Sequence, residues 1–402
     1  MPQLETSPAP APTIAAAPSP LHSGIEIGTL ISLEILAAMF PLTGGFFLFG
    51  WRAIGATAVI LLSTLVTAAV WSQIGWRGRQ MNLWHCLWMA LVLSLMLPAH
   101  LFSTAPLDNQ IVWPILPAAG MILAMLVWLL GGIGAQRIQP SVVTVLILFV
   151  LFHDALTPRY VLRVDRMVVG DLLKSVPAQS PMIEKGAWLF VSRGAGGPGV
   201  DALQVVPATE KLLAYTSGQV RPDRSSLTLQ MLIRDQMPPL EDLIIAGQSS
   251  AIGTGSAVIV IVGGLFLLYR GLIDFRLPVL TLLAAMACLL ILPIPVVITD
   301  TATEWRWFAF RQHYLGWPVA ITFMNYELLA SPLLLTIFFL SNAPGQRPIT
   351  RRGRAIFALV LGALSAILQL YVFASVGPYI ALLLVSLLTP TLDRTLRPRT
   401  LV

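Results

Sequence analysis

Residues 254–270, TGSAVIVIVGGLFLLYR, carry no charged side chain until Arg270, the last of them. A helix needs roughly 20 apolar residues to cross the hydrocarbon core of a bilayer, and this run comes close. It belongs to a series. Apolar runs cover 28–49, 53–71, 82–103, 112–132 and 140–157 before it, and 277–299, 316–341, 355–374 and 376–392 after it. Lipid offers a backbone amide no partner outside its own segment, so runs of this kind predict helices rather than open strands. The expected fold is an all-α polytopic membrane protein. It has about ten transmembrane helices in two five-helix halves, with a polar insert between them.

Composition agrees. The chain is 56% hydrophobic and 11% charged, whereas a soluble domain carries roughly 25% charged residues. The net charge of +6 comes from arginines in short loops, which argues against nucleic-acid binding. With the N-terminus inside, Arg77, Arg79, Arg137, Arg270, Arg276, Arg347, Arg351, Arg352, Arg354, Arg394, Arg397 and Arg399 fall on the cytoplasmic side, and only Arg52, Arg306 and Arg311 on the other. That asymmetry follows the positive-inside rule. Both termini are expected in the cytoplasm and the insert on the outer side.

The chain divides accordingly. Residues 1–24, rich in Pro, Ala and Ser, read as a disordered cytoplasmic tail without the basic start and apolar core of a signal peptide. Residues 25–157 form the first membrane half and 254–393 the second, and 394–402 a basic cytoplasmic tail. Five helices on each side of an insert put the halves in opposite orientation, as in inverted-repeat membrane proteins. The insert, 158–253, holds a glycine-rich loop at SRGAGGPGVDA and a short amphipathic segment broken at Pro238-Pro239. It is expected to pack on the outer ends of the helices.

Few residues in such a chain carry chemistry. Glu34 and Glu327 lie inside predicted spans, where a carboxylate is costly and marks a functional hypothesis. The plain alternative is a carboxyl hydrogen-bonded between helices. His85, His100, His153 and His313 sit near span ends without ligand spacing, and Cys86 and Cys288 suggest buried thiols. The glycine pairs Gly44-Gly45, Gly131-Gly132 and Gly263-Gly264 suit close helix packing. GTGSA, 253–257, opens a helix with the hydroxyls of Thr254 and Ser256. Such a start caps a helix or holds an electron-rich group, and capping is the simpler reading. PDRSSLTL, 222–229, reads on its residues alone as an ordinary polar turn or as the attachment site of a cofactor.

A resemblance sharpens this. GQSSAIGTGSAVIVIVGGLFLLYRGLIDFRLP (247–278), SPLLLTIFFLSNAPGQRPITRRGRAIFALVLGAL (331–364) and PTLD (390–393) resemble the second helical half of the Rnf D-subunit/Nqr B-subunit family. SPLH (19–22), AAMFPLTGGFFLFGWRAI (37–54) and GGIGAQRIQPSVV (131–143) extend the likeness over almost the whole chain. Family members are membrane subunits of redox-driven Na⁺ or H⁺ translocating complexes. They carry flavin mononucleotide (FMN) attached through its phosphate to a threonine in a Ser-Gly-Ala-Thr-type motif, and riboflavin has been associated with the membrane part. The matching place here is Ser225-Ser226-Leu227-Thr228, with Ser-Leu where the family has Gly-Ala. Gln136–Pro140 and Asn342-Ala343-Pro344 likewise stand where the family has Asn-Pro-x-Asn-Pro and an Asp-Pro loop.

The resemblance implies a subunit of the bacterial inner membrane that passes electrons through flavin, coupled to ion movement. Thr228 would be the tether, Ser225 and Ser226 would assist it, and Thr254 and Ser256 would face a flavin. Partners would be other membrane and flavin-carrying subunits, a flavin transferase and membrane lipid. The alternatives are a cofactor-free structural subunit, or a secondary transporter using Glu327.

Overall fold

The computed structural model describes residues 27–74, 82–102, 114–131, 136–157, 160–162, 202–204, 207–217, 229, 232–233, 237, 240–245, 250–299, 302–310, 315–343 and 345–396. The N-terminal tail, residues 397–402, most of the insert, and Ser225, Ser226 and Thr228 lie outside them.

The described chain is mostly helical. In the first half stand α1 (Ile27–Phe49), α2 (Trp51–Ile74), α3 (Leu83–Met96), α4 (Ile115–Leu130), α5 (Pro140–Leu151) and a single turn α6 (His153–Leu156). From the insert come a short antiparallel pair β1 (Tyr160–Leu162) and β2 (Ala202–Gln204), then α7 (Ala208–Thr216) and α8 (Leu240–Ile245). The second half holds α9 (Ala257–Tyr269), α10 (Arg276–Ile291), β3 (Ile294–Thr299), β4 (Ala302–Arg306), α11 (Trp317–Leu329), α12 (Leu333–Leu335), α13 (Arg351–Tyr371) and α14 (Gly377–Thr395). Among the described residues α1, α2 and α13 are long and apolar enough to cross a membrane. The bent pair α11–α12 makes a fourth if it is one span, and α3, α4, α5, α9 and α10 are shorter apolar helices.

Several predicted spans end or bend earlier than their apolar runs. The run 316–341 breaks at Ser331-Pro332, where α11 and the segment Leu333–Leu340 meet at 60°. Proline removes a backbone donor and clashes with the preceding turn. Ser331 Oγ then accepts from the Leu333 amide at 3.2 Å and restarts the helix, which closes in a π-helical turn over Thr336–Leu340. The run 277–299 stays helical only to Ile291. Pro293 and Pro295 stop it, and the β-branched stretch Val296–Thr299 pairs antiparallel with β4 instead. The run 82–103 leaves helix after Met96, where Pro98 bridges to Ala251.

Two of the glycine pairs, Gly44-Gly45 and Gly263-Gly264, pack helices, while Gly131 ends α4 with a positive φ. A Cβ on Gly44 would meet the Ile259 side chain, and one on Gly263 would come 3.1 Å from the Ala37 carbonyl, so α1 and α9 pack backbone to backbone. One buried apolar cluster runs through that seam and joins α1–α5 to α9, α13 and α14. A second gathers Leu212, Tyr215, Leu229 and Leu243 of the insert with Phe310, Phe323 and Leu370 of the second half. The insert helix α7 is fixed there by hydrogen bonds from Tyr215 Oη to the Pro295 carbonyl (2.7 Å) and from Thr216 Oγ1 to the Leu370 carbonyl (2.6 Å).

Candidate functional site

Polar groups gather at both ends of the helix bundle. At the insert end, the Ile252 amide donates to the Leu97 carbonyl at 3.0 Å, tying the start of the second half to the end of α3. Beside this contact lies a cleft of about 50 Å³, lined among others by Pro98, Thr209, Ser250, Thr254, Pro332 and Tyr379. Tyr379 is buried, and its hydroxyl has no partner among the described residues. The room suits a few waters, while a cofactor pocket spans several hundred Å³.

The sequence-predicted residues fall around it unequally. Thr254 lines the cleft, its hydroxyl weakly held by the Ala251 carbonyl at 3.4 Å. Ser256 sits at the N-cap position of α9, yet its side chain makes no capping bond. It donates instead to the Ile244 carbonyl at 3.0 Å and so pins α8 to the start of α9. The capping reading of GTGSA is corrected accordingly: α8 offers Ser256 a closer use. Ser225, Ser226 and Thr228 are outside the described residues, but their neighbour Leu229 is buried, and its backbone hydrogen-bonds the Tyr215 hydroxyl. Burial pushes the Tyr215 phenol up to about 12. Thr209, on the same helix, lines the cleft. At ~1.5 Å rise per residue, α7 connects the two places over about 9 Å.

At the opposite end a smaller chamber of about 10 Å³ lies among Glu34, His85, Trp88, Gln136, Ala343 and Gln346, with Leu30, Ile31 and Met89. His85 Nε2 and Gln136 Oε1 are 3.0 Å apart, and Gln136 Nε2 donates to the Gly131 carbonyl at 2.6 Å. The Gln346 amide is satisfied with its nitrogen on the Leu340 carbonyl (3.1 Å) and its oxygen on the Gln139 amide (2.6 Å). The Trp88 indole N–H is buried and has no partner among the described residues. So are both polar ends of the Gln139 side chain.

Arginines close this end. Arg347 donates to the Leu272 carbonyl at 3.3 Å, and Arg354 pairs with Asp274 at 3.2 Å. Burial lowers the Arg347 pKa, the charge of Arg354 adds to this, and Glu34 and Asp274 oppose it.

Glu327 is buried in α11, where the Gln369 amide of α13 donates to its carbonyl at 2.6 Å and to its carboxylate. It lines neither cavity. Among the described residues no group of three or more His, Cys, Asp or Glu is placed to hold a metal.

Sequence reasoning treated His85 as structural and gave Trp88 no role. The signal was their spacing, i and i+3 on one face of α3. That Gln136 and Gln346 meet them could not be seen, since the contacts join distant segments.

These features define an integral membrane protein of packed apolar helices with a polar chamber at each end. The chain belongs to the NQR2, RnfD, RnfE family, whose model matches residues 15–402. It is similar to the D subunit of the ion-translocating oxidoreductase complex of Halorhodospira halophila (strain DSM 244 / SL1), at 25% identity over 93% of this chain and 91% of that protein. The protein of the same name in Salmonella newport (strain SL254) is 21% identical over 94% and 95%. The D subunit of the Na(+)-translocating ferredoxin:NAD(+) oxidoreductase complex of Acetobacterium woodii is 26% identical over 40% of this chain and 43% of its own.

Proposed function

We propose that this chain is the membrane subunit of an ion-translocating redox complex and passes electrons through a flavin tethered at Thr228. The single observation behind this is the family match over residues 15–402, which takes in the insert as well as both helical halves. In this reading ten helices cross the bacterial inner membrane in two halves of five, both termini are cytoplasmic, and residues 158–253 lie outside. Its partners are the other membrane and flavin-carrying subunits, a flavin transferase and the surrounding lipid.

The flavin supplies the redox chemistry, and the protein supplies its attachment and surroundings. Thr228 Oγ1 would hold the flavin mononucleotide as a phosphoester, the hydroxyl proton and the phosphate's nucleotide leaving group being taken up by the flavin transferase reaction. Ser225 and Ser226 hold the local backbone by hydrogen bonds. A flavin tethered there would lie near Thr254, which lines the insert-end cleft. Ser256, engaged with Ile244, supports the wall rather than the flavin. No residue set among those described marks a riboflavin site.

The replacement of Gly-Ala by Ser226-Leu227 favours a second reading, a cofactor-free structural subunit, because small residues allow close approach of backbone and transferase. In-gel flavin fluorescence of the denatured chain, coexpressed with a transferase, separates the two. Fluorescence is expected from the wild type and from Ser225→Ala and Ser226→Ala, and none from Thr228→Val. A dark wild type supports the structural role.

A further inference from the structure

The chamber opposite the insert has a chemistry of its own. Its amides are already spent: Gln136 bridges His85 and the Gly131 carbonyl, and Gln346 bridges the Leu340 carbonyl and the Gln139 amide. With Gln136 Oε1 accepting, His85 donates from Nε2, so Nδ1 of the neutral ring is left as the acceptor. Beside His85 Nδ1, the void is lined by one carboxyl, Glu34, which lies in the field of Arg347, and by one donor without a partner among the described residues, the Trp88 indole N–H. A hard metal cation requires a cage of several oxygens, and one carboxyl together with an N–H donor does not provide one. The void is instead about the size of a single water. A water held there would accept from Trp88 and donate to the Glu34 carboxylate.

We infer that Glu34 and one water held against Trp88 form a proton-binding site, open toward the end that carries Arg347, which takes protons in preference to Na⁺. The step balances simply: a hydronium arriving through the chamber water gives its proton to the carboxylate, leaving a carboxylic acid and water. The charged and titratable groups that bear on it are His85 from α3 and Arg347 from the 341–350 loop, with Arg354 and Asp274 behind Arg347. The site names the class of ion for the membrane-subunit reading and rests on it for its purpose, though proton binding is measurable without flavin or partners.

The test is infrared difference spectroscopy of the full chain in lipid nanodiscs, titrated with pH, reading the carbonyl stretch of a protonated carboxyl. A band is expected in the wild type, lost in Glu34→Gln and kept in Glu327→Gln. Trp88→Phe should displace the band and its midpoint, since the carboxylate form loses a donor acting through water. Replacing K⁺ by Na⁺ at constant ionic strength should leave the midpoint unchanged. A band that persists in Glu34→Gln overturns the proposal, and so does a midpoint that moves with Na⁺ concentration. If Glu34→Gln does not fold, Glu34→Asp should keep a displaced band. An unchanged band in both Glu34→Asp and Trp88→Phe again overturns it. Thr228→Val should leave the band intact, so loss of the flavin reading and loss of the proton site are told apart.

Discussion

The Gln369 amide on α13 donates to both the backbone carbonyl and the carboxylate of Glu327 on α11. One side chain thus satisfies two acceptors of a buried residue and fastens two helices. A buried polar group that loses its partner costs about 1–3 kcal/mol, whereas replacing both partners by apolar groups can be nearly neutral. Gln369→Leu is therefore expected to destabilise by that amount, and Glu327→Leu/Gln369→Leu to recover most of it. Thermal unfolding in detergent reads the difference. A double variant as unstable as the sum of the single ones would show that the pair is not coupled.

Gly362 makes a second joint. A Cβ there would press on the Thr281 carbonyl of α10 and come 2.9 Å from Ala284 Cβ, so Gly362→Val is expected to lower stability by about 1–3 kcal/mol through overpacking. Gly28 has nothing within 4 Å of its Cβ position. Gly28→Val should unfold at the wild-type temperature, and equal losses in the two variants would contradict the packing account.

The basic loop separates into two kinds of arginine. Arg347 and Arg354 are tied to Leu272 and Asp274, while Arg351 and Arg352 are exposed. Arg351→Gln/Arg352→Gln should leave thermal stability within about 0.5 kcal/mol. Neutralising all four should disturb insertion or assembly, because in the proposed topology this positive charge holds the loop in the cytoplasm. Normal orientation and assembly with only electron transfer lost would contradict this assignment.

Orientation is checked separately. A reporter cysteine at Ser192, in the glycine-rich part of the insert, should react with an impermeant reagent added from outside. Labelling only after the membrane is opened would reverse the topology.

Much of the architecture was legible because lipid leaves a chain few options. Apolar runs announced the helices, and Gly44-Gly45 and Gly263-Gly264 announced close packing, though not that they pack against each other across α1 and α9. Local rules were less decisive inside those runs. Pro332 stood in plain view, but hydropathy alone does not say whether a proline bends a span or ends it. The Val296–Thr299 stretch is as apolar as a helix, and only β-branching and Pro293 and Pro295 betray the hairpin. The chambers were least legible. Glu34, His85, Gln136 and Gln346 come from four separate segments, and no periodicity within one segment reveals that they share a void.

The proposed flavin-carrying role depends most directly on Thr228. Mass spectrometry of the insert peptide from the wild-type chain, coexpressed with an active transferase, should show the added mass of a flavin mononucleotide phosphoester on Thr228. Leu227→Ala should raise the modified fraction if bulk beside the acceptor limits the transferase. The Thr228 peptide found only at its unmodified mass, in a chain correctly inserted in the membrane, would contradict the flavin-carrying reading.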